Sequence, residues 1–144
     1  MFSFAYSPYI VIIGDMVGSK LLQERKNVQD RLIDILNSIN NLYERDISSK
    51  FMVTLGDEFQ GVMHRFSHVM DVLDRVEREM LPVHVRFGIG IGEVTTDIKY
   101  DSPFGSDGPA YYNARKIVDK LKENEKKKMG SKSLVKRSVT PCGN

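Results

Sequence analysis

Residues 51–63 read FMVTLGDEFQGVM, and the fold follows from how that stretch is punctuated. Phe51 to Leu55 is β-branched and apolar enough for a strand, Gly56-Asp57 is a turn dipeptide, and Glu58 to Met63 reads as the returning strand. The result is a β-hairpin with an acidic tip. Upstream, Tyr9 to Ile13 is apolar throughout, which predicts a strand covered on both faces near the middle of a sheet and ending at Gly14-Asp15. Between these strands, Val28, Leu32, Ile35, Ile39 and Leu42 recur at helical spacing and predict a helix over about 22–44.

Downstream of the hairpin, Val69, Met70, Leu73, Val76 and Met80 restore a helical period until Leu81-Pro82 stops it. In the next strand Val83, Val85, Phe87, Ile89 and Ile91 alternate with His84, Arg86, Gly88, Gly90 and Gly92. One face is apolar and the other nearly bare, which implies that another backbone or a ligand comes close there. A polar loop over about 96–107 leads into a last helix, about 109–126, with Ala110, Ala114, Ile117 or Val118, and Leu121 on its buried side. Residues 127–144 show little periodicity and read as a basic flexible tail. The order β-α-β-β-α-β-α predicts an α+β sandwich with a mainly antiparallel sheet, the first strand central, helices mostly on one face, and helical crossovers between any parallel neighbours.

The 144 residues make one domain, 1–126, followed by that tail. With 41% hydrophobic and 28% charged residues, collagen-like, disordered and disulfide-scaffold classes drop out. The formal charge of +2 hides an asymmetry. Residues 1–115 carry 12 Lys/Arg against 16 Asp/Glu, whereas residues 116–144 carry 9 against 3. An acidic body with a basic end differs from a uniformly basic nucleic-acid binder. A single cysteine, Cys142, permits no internal disulfide, and no apolar run reaches membrane-spanning length. A cytoplasmic protein with no membrane partner is therefore expected.

Two acidic sites close strands that should lie near the sheet centre: Asp15, and Asp57 with Glu58. Converging at one end of the sheet, they would suit a hard divalent cation such as Mg²⁺. Carboxylates at strand ends also serve as plain turn formers or helix caps. Gly14 to Lys20, GDMVGSK, would offer backbone N–H groups and an ammonium to a phosphate, although it is not a Walker A loop, and taken alone it reads first as a turn with Ser19 as helix N-cap. The run GIGIG at 88–92 lacks the strand-to-helix break of a dinucleotide fingerprint and reads as close packing. His64 and His68 are spaced as solvated surface residues without a third ligand. No serine sits in a nucleophile elbow. Arg115 would reach a phosphate, with an exposed helical arginine as the ordinary alternative.

Four segments together, IIGDMVGSK, VTLGDEFQGVM, VRFGIGIGEV and GPAYYNARKI, resemble in order and spacing the core of the class III nucleotidyl cyclase and GGDEF superfamily. More closely, the combination resembles the SatD family, which shares that core. The resemblance covers about residues 9–125. It implies a ferredoxin-like palm, with Asp15 and Asp57 as metal carboxylates joined by Glu58, and the Met16 carbonyl nearby. Met16, Val17, Gly18, Ser19 and Lys20 would cradle a triphosphate, Gly56 would admit the base or ribose, and Arg115 would face the transition state. Mg²⁺ (or Mn²⁺), a nucleoside triphosphate and a homodimer are the implied cofactor and partners, the last through the bare Gly88, Gly90 and Gly92 face. The alternative is a catalytically inactive regulatory or dimerisation module that meets nucleic acid only through the basic tail or a C-terminal segment beyond the chain, whose end would then be a truncation or non-native.

Three departures from the cyclase pattern stand out. Val53 stands where the resemblance implies a purine-selecting lysine. Tyr111 stands where an asparagine would precede Arg115 by four residues, with Asn113 out of register. Leu55 replaces the first glycine of the diguanylate-type signature.

Overall fold

A computed structural model describes residues 8–18, 24–103 and 107–139, the side chains of 129–139 excepted. Eight elements follow in chain order: β1 (Tyr9–Met16), α1 (Arg25–Leu42), a 3-10 turn (Glu44–Asp46), β2 (Ile47–Leu55), β3 (Glu58–Met63), α2 (Val69–Met80), β4 (Val85–Gly92) and α3 (Pro109–Val139). The four strands form one sheet in the order β2-β3-β1-β4. Every hydrogen-bonded pair is antiparallel, so the sheet is antiparallel as expected and has no parallel neighbours. The parallel relations are instead between β1 and β2, which flank β3, and between β3 and β4, which flank β1. The helices α1 and α2 make those two crossovers, the ferredoxin-like arrangement.

Period-two alternation divides the sheet residues between two layers. Ile10, Ile12, Met16, Phe59 and Met63 turn toward α1 and α2, where Leu32, Ile35, Leu36, Ile39, Val72, Leu73, Val76 and Met80 complete the main core. Full burial of each such side chain contributes roughly 1.5–3 kcal/mol. Val11, Ile13 and Val62 turn the other way and meet Ala110, Ala114 and Val118 of α3. Two helices thus lie on one face and one on the other. Leu42 and Met70, read as buried from their spacing, are exposed, as is Leu121, and at the Ile117/Val118 alternative it is Val118 that is buried.

The glycine face of β4 is where α3 docks. A Cβ at Gly90 would lie 1.8 Å from the Ala110 carbonyl oxygen, and one at Gly88 would lie 2.2 Å from that of Ala114. Only glycine against alanine lets the helix backbone approach this closely. Close packing is therefore the correct reading of GIGIG, and this face is not bare for a homodimer.

Several boundaries differ from expectation: β2 starts at Ile47 rather than Phe51, and β4 at Val85 rather than Val83. β1 continues through Asp15 and Met16, because Asp15 is in register with Glu58 and Arg86 on its two sides and Met16 with Val85 of β4. The helix α1 starts at Arg25, with Glu24 as N-cap and no side-chain cap bond, and the expected cap Ser19 lies outside the described residues. α3 runs on to Val139, taking in residues 127–139 that were expected to be a tail. Lysine and glutamate are good helix formers, and Lys127 pairs with Glu123 one turn earlier.

The loop after β4 crosses to the far edge of the sheet. Thr95 N–H donates to the Asp107 carbonyl at its stem, and the N–H of edge-strand Lys50 donates to the Tyr100 carbonyl at 2.9 Å. The Gln60 side-chain amide holds the Pro103 carbonyl at 3.1 Å. Covering the edge in this way removes an unpaired donor from β2. Arg31 of α1 fastens the end of α2, donating to the Glu79 and Leu81 carbonyls at 2.6 to 3.0 Å. Among the described residues no helix is long and apolar enough to cross a membrane.

Candidate functional site

The central strand and the hairpin bring the acidic residues to one end of the sheet. Asp15 on β1 is directly opposite Glu58 on β3 and Arg86 on β4, so the three share one row on the α3 face. Leu55 pairs with Glu58, leaving Gly56-Asp57 as a two-residue turn with Gly56 at φ 59°. A positive φ at the first central residue is the type II′ pattern and explains the glycine. The Met16 N–H donates to the Asp57 carbonyl at 3.3 Å and the Val17 N–H to the His84 carbonyl at 2.8 Å. These bonds tie the end of β1 to the hairpin tip and to the entry of β4. Asp15, Asp57 and Glu58 are all buried.

Each of these carboxylates already holds a cation of the chain. Asp15 accepts from Arg86 Nη1 at 2.6 Å, and Lys122 Nζ reaches the same oxygen at 3.1 Å. The other terminal nitrogen of Arg86 holds Glu125 at 2.6 Å. Glu58 is paired with Arg115, whose guanidinium also lies beside the Tyr111 hydroxyl at 3.5 Å. Asp57 pairs with Arg25 of α1 at 3.4 Å, and the neighbouring Gly56 carbonyl accepts from Gln29 at 3.0 Å. The proton affinities agree with this pattern. Arg86 is pushed above its ordinary value chiefly by the Glu125 hydrogen bond, with Asp15 adding to it. Arg115 is raised strongly by Glu58. Glu125 is lowered by Arg86.

The donor set of Asp15, Asp57, Glu58 and the Met16 carbonyl is oxygen-only, as Mg²⁺ or Mn²⁺ requires. The arrangement nevertheless does not fit a shared two-cation site. Among the described residues no three His, Cys, Asp or Glu side chains gather as a metal site would need. Asp15 and Glu58 are drawn into the α3 layer, whereas Asp57 is reached from α1 on the other side of the sheet. The phosphate cradle is also shorter than expected, because the N–H groups of Met16 and Val17 are engaged within the protein. Gly18 follows with φ 68°, exposed and with open space around it; Ser19 and Lys20 lie outside the described residues. Val53, in place of a base-reading lysine, lines a cavity of about 230 Å³ between α1 and β2 together with Ile33, Leu36, Asn37, Lys50, Phe51 and Met52. Leu55 is exposed at the tip, and Asn113 is exposed on α3. Arg115, read as facing a transition state, is committed to Glu58 of its own chain.

Sequence reasoning missed Arg86, Lys122, Glu125 and Arg25. Arg86 carried a signal: it is the one charged residue on the glycine side of its strand, which demands a partner. It also missed a second polar cluster at the opposite end of the sheet. There the buried Asp46 carboxylate holds His68 Nδ1 at 2.5 Å and Arg65 at 3.7 Å, and its carbonyl accepts from the His64 N–H. His64 Nδ1 is 2.7 Å from the Ser48 hydroxyl. These histidines, both exposed, are thus surface residues with partners rather than freely solvated ones.

Comparison with known proteins agrees with this architecture. The model of the SatD family matches residues 9–138, which includes most of the segment expected to be a tail. No curated protein matches the sequence. Among solved structures, a dimeric guanylyl cyclase domain of the RhoGC fusion protein from the aquatic fungus Blastocladiella emersonii aligns with a TM-score of 0.52 at 14% identity, over 78% of this chain and 74% of that one. The guanylate cyclase domain of RhGC from Catenaria anguillulae, in complex with GTP, aligns with a TM-score of 0.46 at 19% identity, over 76% and 71%. The first of these shows that the fold is that of a cyclase domain.

Proposed function

Since this chain belongs to the SatD family, we propose that the acidic end of its sheet is a nucleotide site, taking the polyphosphate of a nucleoside triphosphate between the Gly14–Lys20 segment and the Gly56-Asp57 turn. The Met16–Asp57 backbone bond carries this reading, because it sets the turn against the end of the central strand in a cyclase-type fold. Gly18, exposed and with φ 68°, lets the backbone approach a phosphate from β1, and helix α1 follows with its N-terminus at the same end. Dependence on Mg²⁺ or Mn²⁺ belongs to this reading through Asp57. Arg25, one of the groups that Asp57 contacts, is 47% exposed, so a cation arriving with the nucleotide would compete with it at modest cost. With Val53 and Leu55 in place of base-reading groups, discrimination between ATP and GTP is expected to be weak. Calorimetric titration of both nucleotides, with and without Mg²⁺, tests the proposal. Saturable metal-dependent binding that falls at least about tenfold in Asp57→Asn supports it. No binding, or binding unchanged in that variant, sinks it.

One observation favours a second reading. The helix α3 continues to Val139 through a segment, 127–139, with five Lys/Arg and no Asp/Glu, which suits contact with a polyanion such as nucleic acid. A DNA shift assay whose affinity collapses with salt, and with deletion of residues 127–144, would favour it.

A further inference from the structure

The buried face of α3 is small, and this leaves an imbalance that charge corrects. Ala110, Ala114 and Val118 are its buried apolar residues, and beyond Val118 none of residues 119–128 is buried. The next contacts of this helix with the sheet are ionic: Lys122 on Asp15, and Glu125 on Arg86. One turn after Ala110–Tyr111, Arg115 adds its pair with Glu58. Asp15, Glu58 and Glu125 balance Arg86, Arg115 and Lys122, so the six close to zero net charge across the interface.

The most buried cation of the set is also the least replaceable. Arg86 is 13% exposed and its two terminal nitrogens are divided between Asp15 and Glu125. A divalent ion that took Asp15 would leave this guanidinium buried against a single, partly exposed carboxylate. Stranding a buried charge in this way is among the costlier changes a fold can undergo. Asp15 itself is 10% exposed, with the same oxygen shared by two cations.

We infer that Asp15 and Glu58 are anchoring residues that hold α3 on the sheet in place of divalent-cation ligands, so that this end binds a nucleoside triphosphate without converting it to a cyclic nucleotide. The second half of the inference rests on the nucleotide reading above; the anchoring half stands on the ion pairs alone.

Both halves are tested on the full chain. Asp15→Asn should lower Tm by about 10 °C and Lys122→Met by about 3 °C, with the double variant falling short of their sum because the two act on one contact. Amide exchange over residues 119–128 should quicken in both single variants while α1 keeps its protection. Mass spectrometry of ATP and GTP incubated with Mn²⁺ and the wild-type chain should show no cyclic nucleotide above a protein-free control. The anchoring half is overturned if Asp15→Asn melts with the wild type, or if the two substitutions add fully. Should Asp15→Asn fail to fold, Lys122→Met and its exchange pattern decide the matter, and unchanged exchange in that variant counts against the inference. Cyclic product that disappears in Asp15→Asn overturns the second half while leaving the nucleotide reading intact. Absence of any nucleotide binding removes that reading, and with it the second half, but not the anchoring half.

Discussion

On one face of the sheet, Phe59 lies over Gly14 and edge-on to Phe87 at 6.2 Å, and large side chains from α1 and α2 fill the space around them. On the other face, glycines of β4 meet alanines of α3 at backbone distance, and beyond Val118 ion pairs hold the helix. The first layer is held by apolar area, which is non-directional and tolerant of small shifts. The second is held by close approach and charge, which are specific and intolerant. Asp15 and Glu58 lie at the end of that second layer, so these two carboxylates are drawn into its packing, whereas Asp57 is reached from α1.

Substitutions on the two faces should separate these mechanisms. Phe59→Ala removes the largest side chain at the centre of the apolar face and should cost about 4 kcal/mol in denaturant unfolding, lowering protection throughout the sheet, α1 and α2. Arg86→Met leaves Asp15 with Lys122 alone and frees Glu125; a loss of about 3 kcal/mol is expected, with exchange rising first in α3. Equal loosening of α1 and α3 in that variant would break the distinction between the layers. Gly90→Ala forces α3 outward, because the added carbon would meet a backbone oxygen and not a flexible side chain. About 2 kcal/mol is expected, again with α3 loosened ahead of α1.

The smallest effect is a pH dependence. The Arg86 hydrogen bond holds the Glu125 carboxyl below its ordinary value of 4.5. A depressed carboxylate contributes stability above that ordinary value and loses it as pH falls through the lowered one. Glu125 is 41% exposed, so the contribution should stay under about 1 kcal/mol. Wild type and Glu125→Gln should therefore differ in stability at pH 7 and converge as the pH drops below about 4.5; a difference that persists unchanged in acid would contradict the ion pair.

Much of this was legible in the residues. The hairpin, the central strand, the stop at Leu81-Pro82 and the glycine face of β4 each have a local signature, and the four-segment order led to the family. What was not legible depends on register. Asp15 reads from the sequence as the residue that closes a strand; only pairing with both neighbours shows it inside β1, opposite Arg86. Lys122 and Glu125 look like ordinary solvated positions on a basic helix, and nothing local says which strand residue they will meet. The length of α3 was underestimated because its lysine-rich second half lacks an apolar stripe, though its helix propensity is high.

The most direct test of the account is a calorimetric titration of Mg·GTP and Mg·ATP into Asp15→Asn beside Asp57→Asn, at a temperature where both are folded. Affinity in Asp15→Asn should stay within about threefold of wild type, while Asp57→Asn loses at least about tenfold. Equal loss in both would mean that the two carboxylates share a cation after all, and that α3 is not what Asp15 is there to hold.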